Sequence, residues 1–475
     1  MKQNINCIIR KINRNKILVV GDIILDCSVD GEISGLSAEA PIMTFREHQT
    51  SYALGGAANV ALNLTHANQN VVLVSVLGDD NCSSIVKTLL QAEGVSTNGL
   101  VIDSTRKTTI KKRFYTKQKE QIFRSDSEDR FVINNEIERL IVDKITECIE
   151  DVDAIVLSDY LKGCLTYSLI NTIVSIGHKR SIKIIVDPKD ADFSKYANCD
   201  VIKPNRKELA MMINKSSLNY EDIADGCKRI CEGNHHDLVV VTLGEEGMFA
   251  YESSGKTLKL DATKTTIVDV SGAGDTAVAY LATGIASGMS FEESLILANL
   301  ASGKKVAKSG AVPVGYVELI SFPKRIENEQ IQILKQALMN KKVVFTNGCF
   351  DLLHAGHIHS LTQARNFGDV LVVGINSDES VKRLKGDARP VIPLEERIQM
   401  LEALSCVDFI IPFDDDTPLE IIKSLLPSVL VKGADYRNKT VVGSECVIEN
   451  GGEVKYIEMY DGFSTSDIVK KIKES

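Results

Sequence analysis

The sequence predicts a protein of the α/β class, built from two domains that each contain a parallel β-sheet covered by helices. Short runs rich in Val and Ile alternate with helix-like stretches along most of the chain. Continuous apolar strands of this kind are typical of sheets buried on both faces. A length of 475 residues also exceeds what one hydrophobic core usually supports. No internal repeat joins the two halves, so we expect two different domains.

The first domain is predicted over residues 1–320. Its strand candidates end at or next to Gly, Asp, Ser or Thr, and ligands bind beyond such carboxyl ends in parallel sheets. Two polar, alternating stretches, Ser34–Ser51 and Thr108–Arg124, predict short antiparallel strands that form a small β lid beside the main sheet. The strand candidates of the main sheet are Lys16–Gly21, Val71–Leu77, Ala154–Ser158, Ile182–Asp187 and Leu238–Thr242.

Residues 321–340 are predicted to form a charged linker helix with little core character. A second α/β domain is predicted over residues 341–475, where the alternating pattern starts again. Its strand candidates are Val343–Thr346, Gly368–Asn376 and Ser428–Lys432.

Charge and hydropathy restrict the partners of the chain. It carries 55 basic and 64 acidic side chains, a net charge of −9, which gives no bulk attraction to nucleic acid or to an anionic membrane. Phosphorylated substrates must then be held by local lysines, arginines, helix ends and metal ions. No apolar stretch approaches the roughly 20 residues that cross a bilayer, and the first apolar run resembles a buried strand more than a signal peptide. We therefore expect a cytoplasmic protein.

The eleven cysteines are scattered and are expected to be reduced thiols. Cys227, Cys231, His235 and His236 would share one helical face if the helix continued that far. Their spacing matches no common zinc module. We expect a solvated helix end here and no structural metal.

The segment from Asp269 to Thr276 is the first candidate site. Its glycines let backbone N–H groups converge on an anion at the start of a helix predicted over Ala277–Ser287, where the helix dipole adds positive charge. Asp275 could accept the proton of an attacking hydroxyl while those N–H groups stabilise a transferring phosphoryl group. Gly-x-Gly-Asp also describes many ordinary loop-to-helix turns, so the segment alone leaves both interpretations open.

Five motifs, namely Lys16–Asp22 with Asp26, Gly55–Asn59, Asp187–Lys189, Asn205–Glu208 and Asp269–Asp275, occur in an order that resembles the ribokinase family of sugar kinases. The resemblance covers about the first 320 residues and implies ATP and Mg²⁺ as cofactors, with a monovalent cation as a further candidate. It implies that Asp275 is the catalytic base and that Gly272, Ala273 and Gly274 form the anion hole. It assigns ATP and magnesium to Asn205, Arg206, Lys207, Glu208, Thr242, Gly244, Gly247 and Asn299. It assigns the sugar to Asp22, Asp26, Gly55, Gly56, Asn59, Lys111 and Arg113.

Several of these residues also have simpler explanations. Asn205 and Glu208 fit a capping pair at the start of a helix. Gly55 and Gly56 fit a strand-to-helix turn. The charge run Lys111–Arg113 fits a solvated face as well as a phosphate clamp.

The stretch Val343–His357 is the most specific in the chain. A buried strand ends in Thr-Asn-Gly, and a loop then places His354 and His357 at a helix start, three residues apart and on one face. Gly356 permits close approach of a nucleotide, and imidazoles can hydrogen-bond phosphate oxygens as charge develops on an α-phosphate. The alternative is a metal site or a structural pair, but two histidines without a nearby third ligand make a poor zinc site.

This pattern resembles the cytidylyltransferase-like nucleotidyltransferases, with further matches at Asn376–Asp378, Lys385–Pro390, Val431–Tyr436 and Gly462–Thr465. The resemblance implies a Rossmann-like α/β domain in which His354 and His357 are catalytic and bind the triphosphate. Lys385 and Arg389 could neutralise phosphate charge or be ordinary loop cations. The nucleotide- and phosphate-binding residues implied are Thr346, Asn347, Gly348, Phe350, Lys385, Arg389, Lys432, Ser464 and Thr465.

In this domain order the whole chain resembles the bifunctional heptose 7-phosphate kinase/heptose 1-phosphate adenylyltransferase family of Gram-negative bacteria. The resemblance is carried by Gly55–Ala61, Asp269–Asp275, Arg383–Pro390 and Leu430–Tyr436. It implies phosphorylation of D-glycero-β-D-manno-heptose 7-phosphate at O1, and adenylyl transfer from ATP to heptose 1-phosphate, giving ADP-heptose for the lipopolysaccharide core. A separate phosphatase would act between the two steps, and a homodimer is also implied.

The residues alone leave three alternatives open. Both activities could serve another phosphosugar, the transferase could use CTP, or one half could be a silent nucleotide sensor or dimerisation module. One departure from the family pattern concerns the lid, where Gly35 occupies a position that is commonly basic. We expect Lys111 or Arg113 to supply that phosphate contact.

Overall fold

The computed structural model describes residues 2–263, 265–310, 312–320, 323–338, 341–437 and 439–458. The chain divides into two compact units, Met1–Ile320 and Ser321–Ser475. Ser464 and Thr465, predicted to bind nucleotide, lie outside the described residues. No helix of the described segments is long and apolar enough to cross a membrane.

Thirteen strands of the first unit are described. In chain order they are β1 (Lys16–Gly21), β2 (Ile23–Leu36), β3 (Met43–Gly56), β4 (Asn70–Gly78), β5 (Leu100–Asp103), β6 (Ile110–Tyr115), β7 (Gln121–Ser127), β8 (Ala154–Ser158), β9 (Lys183–Asp187), β10 (Val201–Ile202), β11 (Leu238–Thr242), β12 (Met248–Glu252) and β13 (Thr257–Leu260). The described helices are α1 (Lys2–Ile9), α2 (Ala57–His66), α3 (Asn81–Ala92), α4 (Asn135–Cys148), α5 (Tyr167–Lys179), α6 (Arg206–Met212), α7 (Tyr220–Asn234), α8 (Ala273–Ala286) and α9 (Phe291–Lys305).

A nine-stranded sheet forms the middle of this unit, in the order β13-β12-β11-β10-β9-β8-β1-β4-β5. Its strands pair in parallel except for β12 and β13, which add an antiparallel edge. Side chains alternate between the two faces of a strand, so Ile17 and Val19 of β1 enter one core and Leu18 and Val20 enter the other. The predicted α/β class is confirmed, and the five predicted strands correspond to β1, β4, β8, β9 and β11.

The predicted lid is a four-stranded sheet in the order β3-β2-β6-β7. The expectation that its strands are all antiparallel was wrong for β2 and β6, which pair in parallel. The chain reaches β6 only after α2, β4, α3 and β5, and such a crossover brings it back in the same direction. The lid joins the main sheet directly, because β1 ends at Gly21 and β2 begins at Ile23. Gly56 closes β3 beside this joint, where a Cβ would lie 2.3 Å from the carbonyl oxygen of Asp22.

The second unit contains a parallel sheet of five described strands. Numbered on from the first unit, they are β14 (Val343–Gly348), β15 (Val370–Asn376), β16 (Phe409–Phe413), β17 (Val429–Gly433) and β18 (Glu453–Ile457). Their order in the sheet is β16-β15-β14-β17-β18. The three predicted strands correspond to β14, β15 and β17. The helices are α10 (Ile331–Ala337), α11 (Ala355–Arg365), α12 (Asp378–Lys385), α13 (Leu394–Glu402), α14 (Leu419–Leu425) and α15 (Ser444–Glu449).

The predicted linker helix of residues 321–340 is instead part of the second unit. Ile326, Ile331 and Leu334 are buried in its core against β14 and α14. The helix α10 is only seven residues long. The charged residues around it made the segment look solvent-exposed, so the three apolar positions that pack into the core were not recognised from the sequence.

The expected solvated helix end at Cys227 and Cys231 is also corrected. Both thiols and His236 are buried, and Nδ1 of His236 lies 2.6 Å from the carbonyl oxygen of Cys199. All eleven cysteines lie in described segments and are free thiols. Among the described residues no group of three or more His, Cys, Asp or Glu side chains could hold a metal ion.

Candidate active sites

A cavity of about 210 Å³ opens beyond the carboxyl ends of β8, β9 and β11. Ligands bind at this edge of parallel sheets, because the loops and helix N-termini there present polar groups. The start of α8 completes the wall. The lining residues are Asp159, Tyr160, Asp187, Pro188, Lys189, Lys203, Asn205, Glu208, Thr242, Gly272, Gly274 and Asp275.

The helix α8 begins with Gly272 as its N-cap, in the left-handed conformation at φ 75°. Any side chain there would be strained, and its Cβ would lie 2.9 Å from Nδ2 of Asn59. Backbone N–H groups in the first turn of a helix lack acceptors within the helix and can bind an anion. Gly272 and Gly274 line the cavity, as an anion hole requires. Ala273 faces a neighbouring cleft, and its N–H donates to the carbonyl oxygen of Val270 at 3.3 Å.

Asp275 follows in the same first turn and is 6% exposed. One carboxylate oxygen accepts a hydrogen bond from Nδ2 of Asn59 and the other from the Tyr160 hydroxyl, each at 2.6 Å. Burial raises the pKa of Asp275, while these two hydrogen bonds and the charge of Lys203 lower it. Each carboxylate oxygen can accept more than one hydrogen bond. Asp275 is therefore fixed in orientation and still able to take a proton from a bound hydroxyl.

Asn59 and Asp22, both predicted to contact a sugar, have other roles. Asn59 commits its amide to Asp275. The Asp22 carboxylate is buried and accepts backbone N–H groups of Tyr160, Lys162 and Cys164 at 2.9, 3.0 and 3.0 Å. The Asp22 prediction is corrected accordingly, because its oxygens hold the loop that carries Tyr160.

Asp26, predicted to lie near the sugar hydroxyls, is at the base of the lid. It pairs in register with Lys111 of β6, and its Oδ1 accepts a hydrogen bond from Arg113 at 2.5 Å. Gly55 leaves the necessary room, since a Cβ there would lie 2.6 Å from Oδ2 of Asp26. Lys111 and Arg113 share one face of β6, while Lys112 is exposed on the other. Burial lowers the pKa of Lys111. The lid thus presents Lys111, Arg113 and Asp26 on one face, where Arg124 and Asp126 of β7 pair in register with Arg113 and Lys111.

Two ion pairs lie across the cavity. Lys203 donates to Asp187 at 2.8 Å with both side chains largely buried, and Lys189 donates to Glu208 at 2.7 Å. Burial raises the pKa of Asp187 to about 6, against the opposing charge of Lys203. A polyphosphate with a divalent cation needs both signs of charge, and this cavity supplies both.

Asn205 and Glu208 form the capping arrangement that the sequence left open. Oδ1 of Asn205 accepts the N–H groups of Lys207 and Glu208 at 2.9 Å each, and Glu208 accepts the Asn205 N–H at 2.8 Å. Both residues also line the cavity. The cap therefore holds the Glu208 carboxylate at the wall of the cavity.

A second, largely apolar cleft of about 340 Å³ adjoins the first, and Thr242 and Gly274 line both. Gly244, Gly247 and Asn299 line it as predicted for a nucleotide site. Gly247 is required at φ 89°, because a Cβ would meet the carbonyl oxygen of Leu260 at 2.0 Å. The remaining lining residues are Glu245, Met248, Ala262, Thr263, Thr265, Ile267, Val270, Ala273, Ser302, Gly303 and Val306.

Arg206 and Lys207, predicted beside the nucleotide, line neither cavity. Arg206 forms an ion pair with Glu246 at 2.5 Å, and Lys207 is exposed on α6. Their positions follow from the helix, because only the N-cap and the third residue of α6 face the cavity.

Tyr160 and Lys203 are functional residues that the sequence did not reveal. Tyr160 follows Ser158 and Asp159 at the end of β8, so the rule for carboxyl ends could have found it. Lys203 follows β10, which has two residues and gives no periodic signal. Its Nζ lies 3.8 Å from where a Cβ would stand on Gly274, beside the predicted anion hole.

The second site lies in the other unit, at the start of α11. His354 is the N-cap residue, and the rings of His354 and His357 stack with centroids 3.9 Å apart. Phe350 packs edge-on against His357 at 5.3 Å. Nδ1 of His354 is buried without a hydrogen-bond partner in the described part of the chain. The predicted pairing of two imidazoles at a helix N-terminus is present, with a polar atom left for a ligand.

The imidazoles are held in the neutral form. Burial lowers the pKa of His354, and burial together with the charges of His354 and Lys385 lowers that of His357 to about 4. A neutral imidazole donates one N–H without repelling nearby cations.

Lys432 lies at the carboxyl end of β17 and reaches across to that of β14. It donates to Oδ1 of Asn347 at 2.5 Å, and burial lowers its pKa. The Thr346 hydroxyl donates to the carbonyl oxygen of Val431 at 3.1 Å, which ties the same strand ends together. Gly348 leaves space for the Phe350 ring, which would lie 3.2 Å from a Cβ.

Arg389 is held by a protein carboxylate, whereas Lys385 is exposed. Arg389 donates to the buried Asp351 at 2.5 Å, and Asp351 also accepts the N–H groups of Val391 and Ile392. Of the two open interpretations of Arg389, the structure favours a loop cation paired within the protein. Lys385 ends α12 and acts on His357 through its charge.

Arg397 is a further residue that the sequence did not reveal. It is fully buried and donates to the carbonyl oxygens of Cys349, Asn376 and Ile392 and to Asp378. It therefore joins the loops after β14 and β15, the two loops that flank the histidine pair. Its position within an ordinary helical pattern gave no signal.

We expect His357 to stay neutral at pH 7 and to gain a proton more readily once a triphosphate binds. Burial disfavours the imidazolium, whereas phosphate oxygens favour it, so the pKa of about 4 should rise on addition of ATP. Carbon-13 histidine NMR of the full chain measures this, with the resonance assigned through His357→Ala. Titration near the ordinary value before ATP is added would contradict the burial of this ring.

Comparisons with known proteins agree with this two-site organisation. Residues 14–314 match the pfkB family carbohydrate kinase model, and residues 345–471 match the cytidylyltransferase-like model. Proteins named bifunctional protein HldE are similar over nearly the full length. The one from Helicobacter pylori is 40% identical and covers 97% of this chain and 99% of its own, and the one from Geobacter sulfurreducens is 37% identical with 99% and 98% covered.

Solved structures support the fold of the first unit. Phosphofructokinase-2 from Escherichia coli in complex with potassium superposes with a TM-score of 0.54 at 20% identity, covering 64% of this chain and 96% of that one. Ribokinase from Arabidopsis thaliana complexed with ribose and ATP gives 0.53 at 18% identity, covering 66% and 100%.

Proposed function

Because the chain belongs to the family of bifunctional HldE proteins, with a pfkB-type kinase domain followed by a cytidylyltransferase-like domain, we propose that it makes ADP-heptose in two separate steps. The first domain phosphorylates D-glycero-β-D-manno-heptose 7-phosphate at O1, and the second transfers AMP from ATP to heptose 1-phosphate. The observation that carries the proposal is that both sites are assembled in one chain: Asp275 on the α8 N-terminus, and the His354–His357 pair on that of α11.

Phosphoryl transfer uses the cavity from both ends. The nucleotide lies in the apolar cleft along Gly244, Gly247 and Asn299, with its phosphates towards Gly272 and Gly274. The phosphosugar enters from the lid side, where Asp26 meets its hydroxyls. Asp275 accepts the proton of O1 as the γ-phosphoryl group is transferred, and the N–H groups at the start of α8 stabilise the charge on the phosphoryl oxygens.

Magnesium fits the residues of this cavity. Glu208 and Asp187 are carboxylates, the ligands that Mg²⁺ prefers, and both line this cavity. When bound with ATP, the ion would neutralise phosphate charge. Lys189 and Lys203 line the same cavity and would hold phosphate oxygens.

Adenylyl transfer needs no base, because the attacking group is the phosphate of the sugar itself. His354 and His357 donate to the triphosphate, and Lys432 adds positive charge where pyrophosphate departs. Because the two imidazoles are neutral, the positive charge at this point comes from Lys432. We assign Ser464 and Thr465 to the same triphosphate on the basis of the family motif.

The two steps require a phosphatase between them, because the kinase product carries the 7-phosphate and the transferase substrate does not. We propose that a separate heptose bisphosphate phosphatase supplies this step, that the enzyme works in the cytoplasm, and that it forms a homodimer. The partly exposed apolar residues of the lid, including Leu36, Ile42 and Met43, support the homodimer.

The deciding experiment incubates the purified chain with heptose 7-phosphate, ATP and Mg²⁺, with and without that phosphatase. We expect the 1,7-bisphosphate without it and ADP-heptose only with it. Absence of the bisphosphate would refute the kinase assignment. Formation of CDP-heptose from CTP in preference to ADP-heptose would refute the choice of nucleotide.

The lid cations are expected to bind the 7-phosphate. Lys111→Ala and Arg113→Ala should each raise the KM for heptose 7-phosphate about tenfold, the effect of about 1.4 kcal/mol from one charge-assisted hydrogen bond, with a smaller change in kcat. Steady-state kinetics measure this, and Lys112→Ala on the opposite face of β6 is the matched control. An unchanged KM in both variants would show that the 7-phosphate does not bind at this face of the lid.

A further inference from the structure

Lys305 is a buried lysine that the two reactions above do not use. It is the last residue of α9, and its side chain is 0% exposed. Lysine is almost never fully buried without a partner, because the ammonium loses its hydration. Here Nζ donates to the carbonyl oxygen of Gly310 at 2.8 Å.

The turn after Lys305 is bonded to the loop that leads into α8. The carbonyl oxygen of Val306 accepts the N–H groups of Val268 and Asp269 at 2.8 and 3.1 Å. The Asp269 carboxylate in turn accepts the Gly310 N–H at 2.9 Å. Gly310 therefore accepts a hydrogen bond from Lys305 and donates one to Asp269.

The stem of Lys305 lies directly behind the N-cap of α8. A Cβ on Gly272 would lie 3.5 Å from Cε of Lys305 and 2.9 Å from Nδ2 of Asn59, the amide that holds Asp275. Burial lowers the pKa of Lys305, and the carboxylates of Asp269 and Asp275 oppose that effect. The ammonium thus interacts with the carboxylates on both sides of the glycine loop.

We propose that Lys305 is a positioning residue for phosphoryl transfer, an internal cation that acts through the Asp269–Gly274 loop. Its charge stabilises the loop in the geometry in which its N–H groups meet the phosphoryl group, and it offsets negative charge that develops there in a site of low dielectric. The inference rests on the proposed kinase function. It also predicts that the kinase domain needs no added monovalent cation, because the chain supplies its own.

Lys305→Met tests the charge while keeping most of the packing, since methionine is nearly as long and carries no charge. We expect kcat for phosphorylation to fall at least about tenfold, the effect of one unit charge a few ångström away. The KM for the phosphosugar should change less than about twofold, and adenylyl transfer should be unchanged. Lys304→Met, at the exposed neighbour on the same helix end, is the matched control.

Lys305→Ala distinguishes a role of the charge from a purely structural role of the side chain. Ammonium, methylammonium or potassium ions should restore part of the lost kcat by entering the space that the side chain leaves. Choline chloride at equal ionic strength is too large and should not. The wild-type protein and Lys304→Met should respond equally to all these salts.

A wild-type kcat in Lys305→Met would overturn the proposal, as would a loss in Lys305→Ala that no small cation relieves. Loss of activity together with unfolding of the first unit, seen as a missing thermal transition while adenylyl transfer persists, would also overturn it, because the lysine would then serve the fold. If the wild-type chain phosphorylates a different phosphosugar, the proposed substrate is wrong, and the same variants are compared on that sugar.

Discussion

Asp275→Asn should abolish phosphorylation of heptose 7-phosphate and leave adenylyl transfer at its wild-type rate. The amide cannot accept the O1 proton, so kcat should fall by about 10³-fold or more, within the range that general-base catalysis supplies. The two proposed sites are on different sheets, in two compact units of the chain. Coupled assays of bisphosphate formation and of pyrophosphate release from heptose 1-phosphate measure the two rates.

The asparagine also disturbs the hydrogen bonds around it. Asn59 and Tyr160 both donate to the Asp275 carboxylate. The amide of an asparagine has only one oxygen, so it can accept from one of these donors but must present its NH₂ group, itself a donor, to the other. A stability loss of about 1–3 kcal/mol is expected from this mismatch. Tyr160→Phe is the control, because it removes one of the same hydrogen bonds and keeps the carboxylate. Loss of adenylyl transfer in Asp275→Asn would contradict independent sites.

His357→Ala should have the opposite effect. Removing an imidazole that donates to the triphosphate should lower kcat for adenylyl transfer by about 10²- to 10³-fold, as for loss of one donor in an oxyanion hole, while phosphorylation continues. The side chain is half-buried, and its ring stacks on His354 and packs on Phe350. The variant therefore needs a folding control.

His359→Ala provides that control. His359 lies two residues further along α11 and so points to another side of the helix. We expect it to keep adenylyl transfer within about threefold of wild type, an effect of less than about 0.7 kcal/mol. Equal losses in His357→Ala and His359→Ala would show that the helix, and not the stacked pair, is what the reaction needs.

The sequence predicted what depends on local pattern. Val- and Ile-rich runs located β1, β8 and β11 at their observed bounds, whereas α8 begins at Ala273, four residues before the predicted helix of Ala277–Ser287. Long-range pairing was less accessible. The parallel pairing of β2 and β6 depends on a crossover through the main sheet, and Lys203 follows a two-residue strand that has no period to detect.

The sites show the same division. Asp275, Gly272 and the histidine pair belong to motifs whose candidate residues lie close together in the sequence. Asp22 was misassigned because its three acceptor bonds go to a loop about 140 residues away in the chain. Arg397 went unnoticed for the same reason, since its four partners come from three other segments. Motif residues were recognisable from sequence, and the residues that hold them in place were not.

The joint between the main sheet and the lid has a consequence for how specificity changes. The first lid hairpin leaves β1 at Gly21 and returns to α2 at Ala57, whose N–H donates to the carbonyl oxygen of Asp22 at 2.9 Å. Asp26 and Gly55 belong to this hairpin, whereas Asp275 and the apolar cleft belong to the main sheet and its flanking segments, called the base of the site. The proposed acceptor side of the site is therefore divided between two segments: this hairpin carries Asp26 and Gly55, and β6 carries Lys111 and Arg113. A change of acceptor sugar would then require changes in both segments, whereas the base of the site could stay the same.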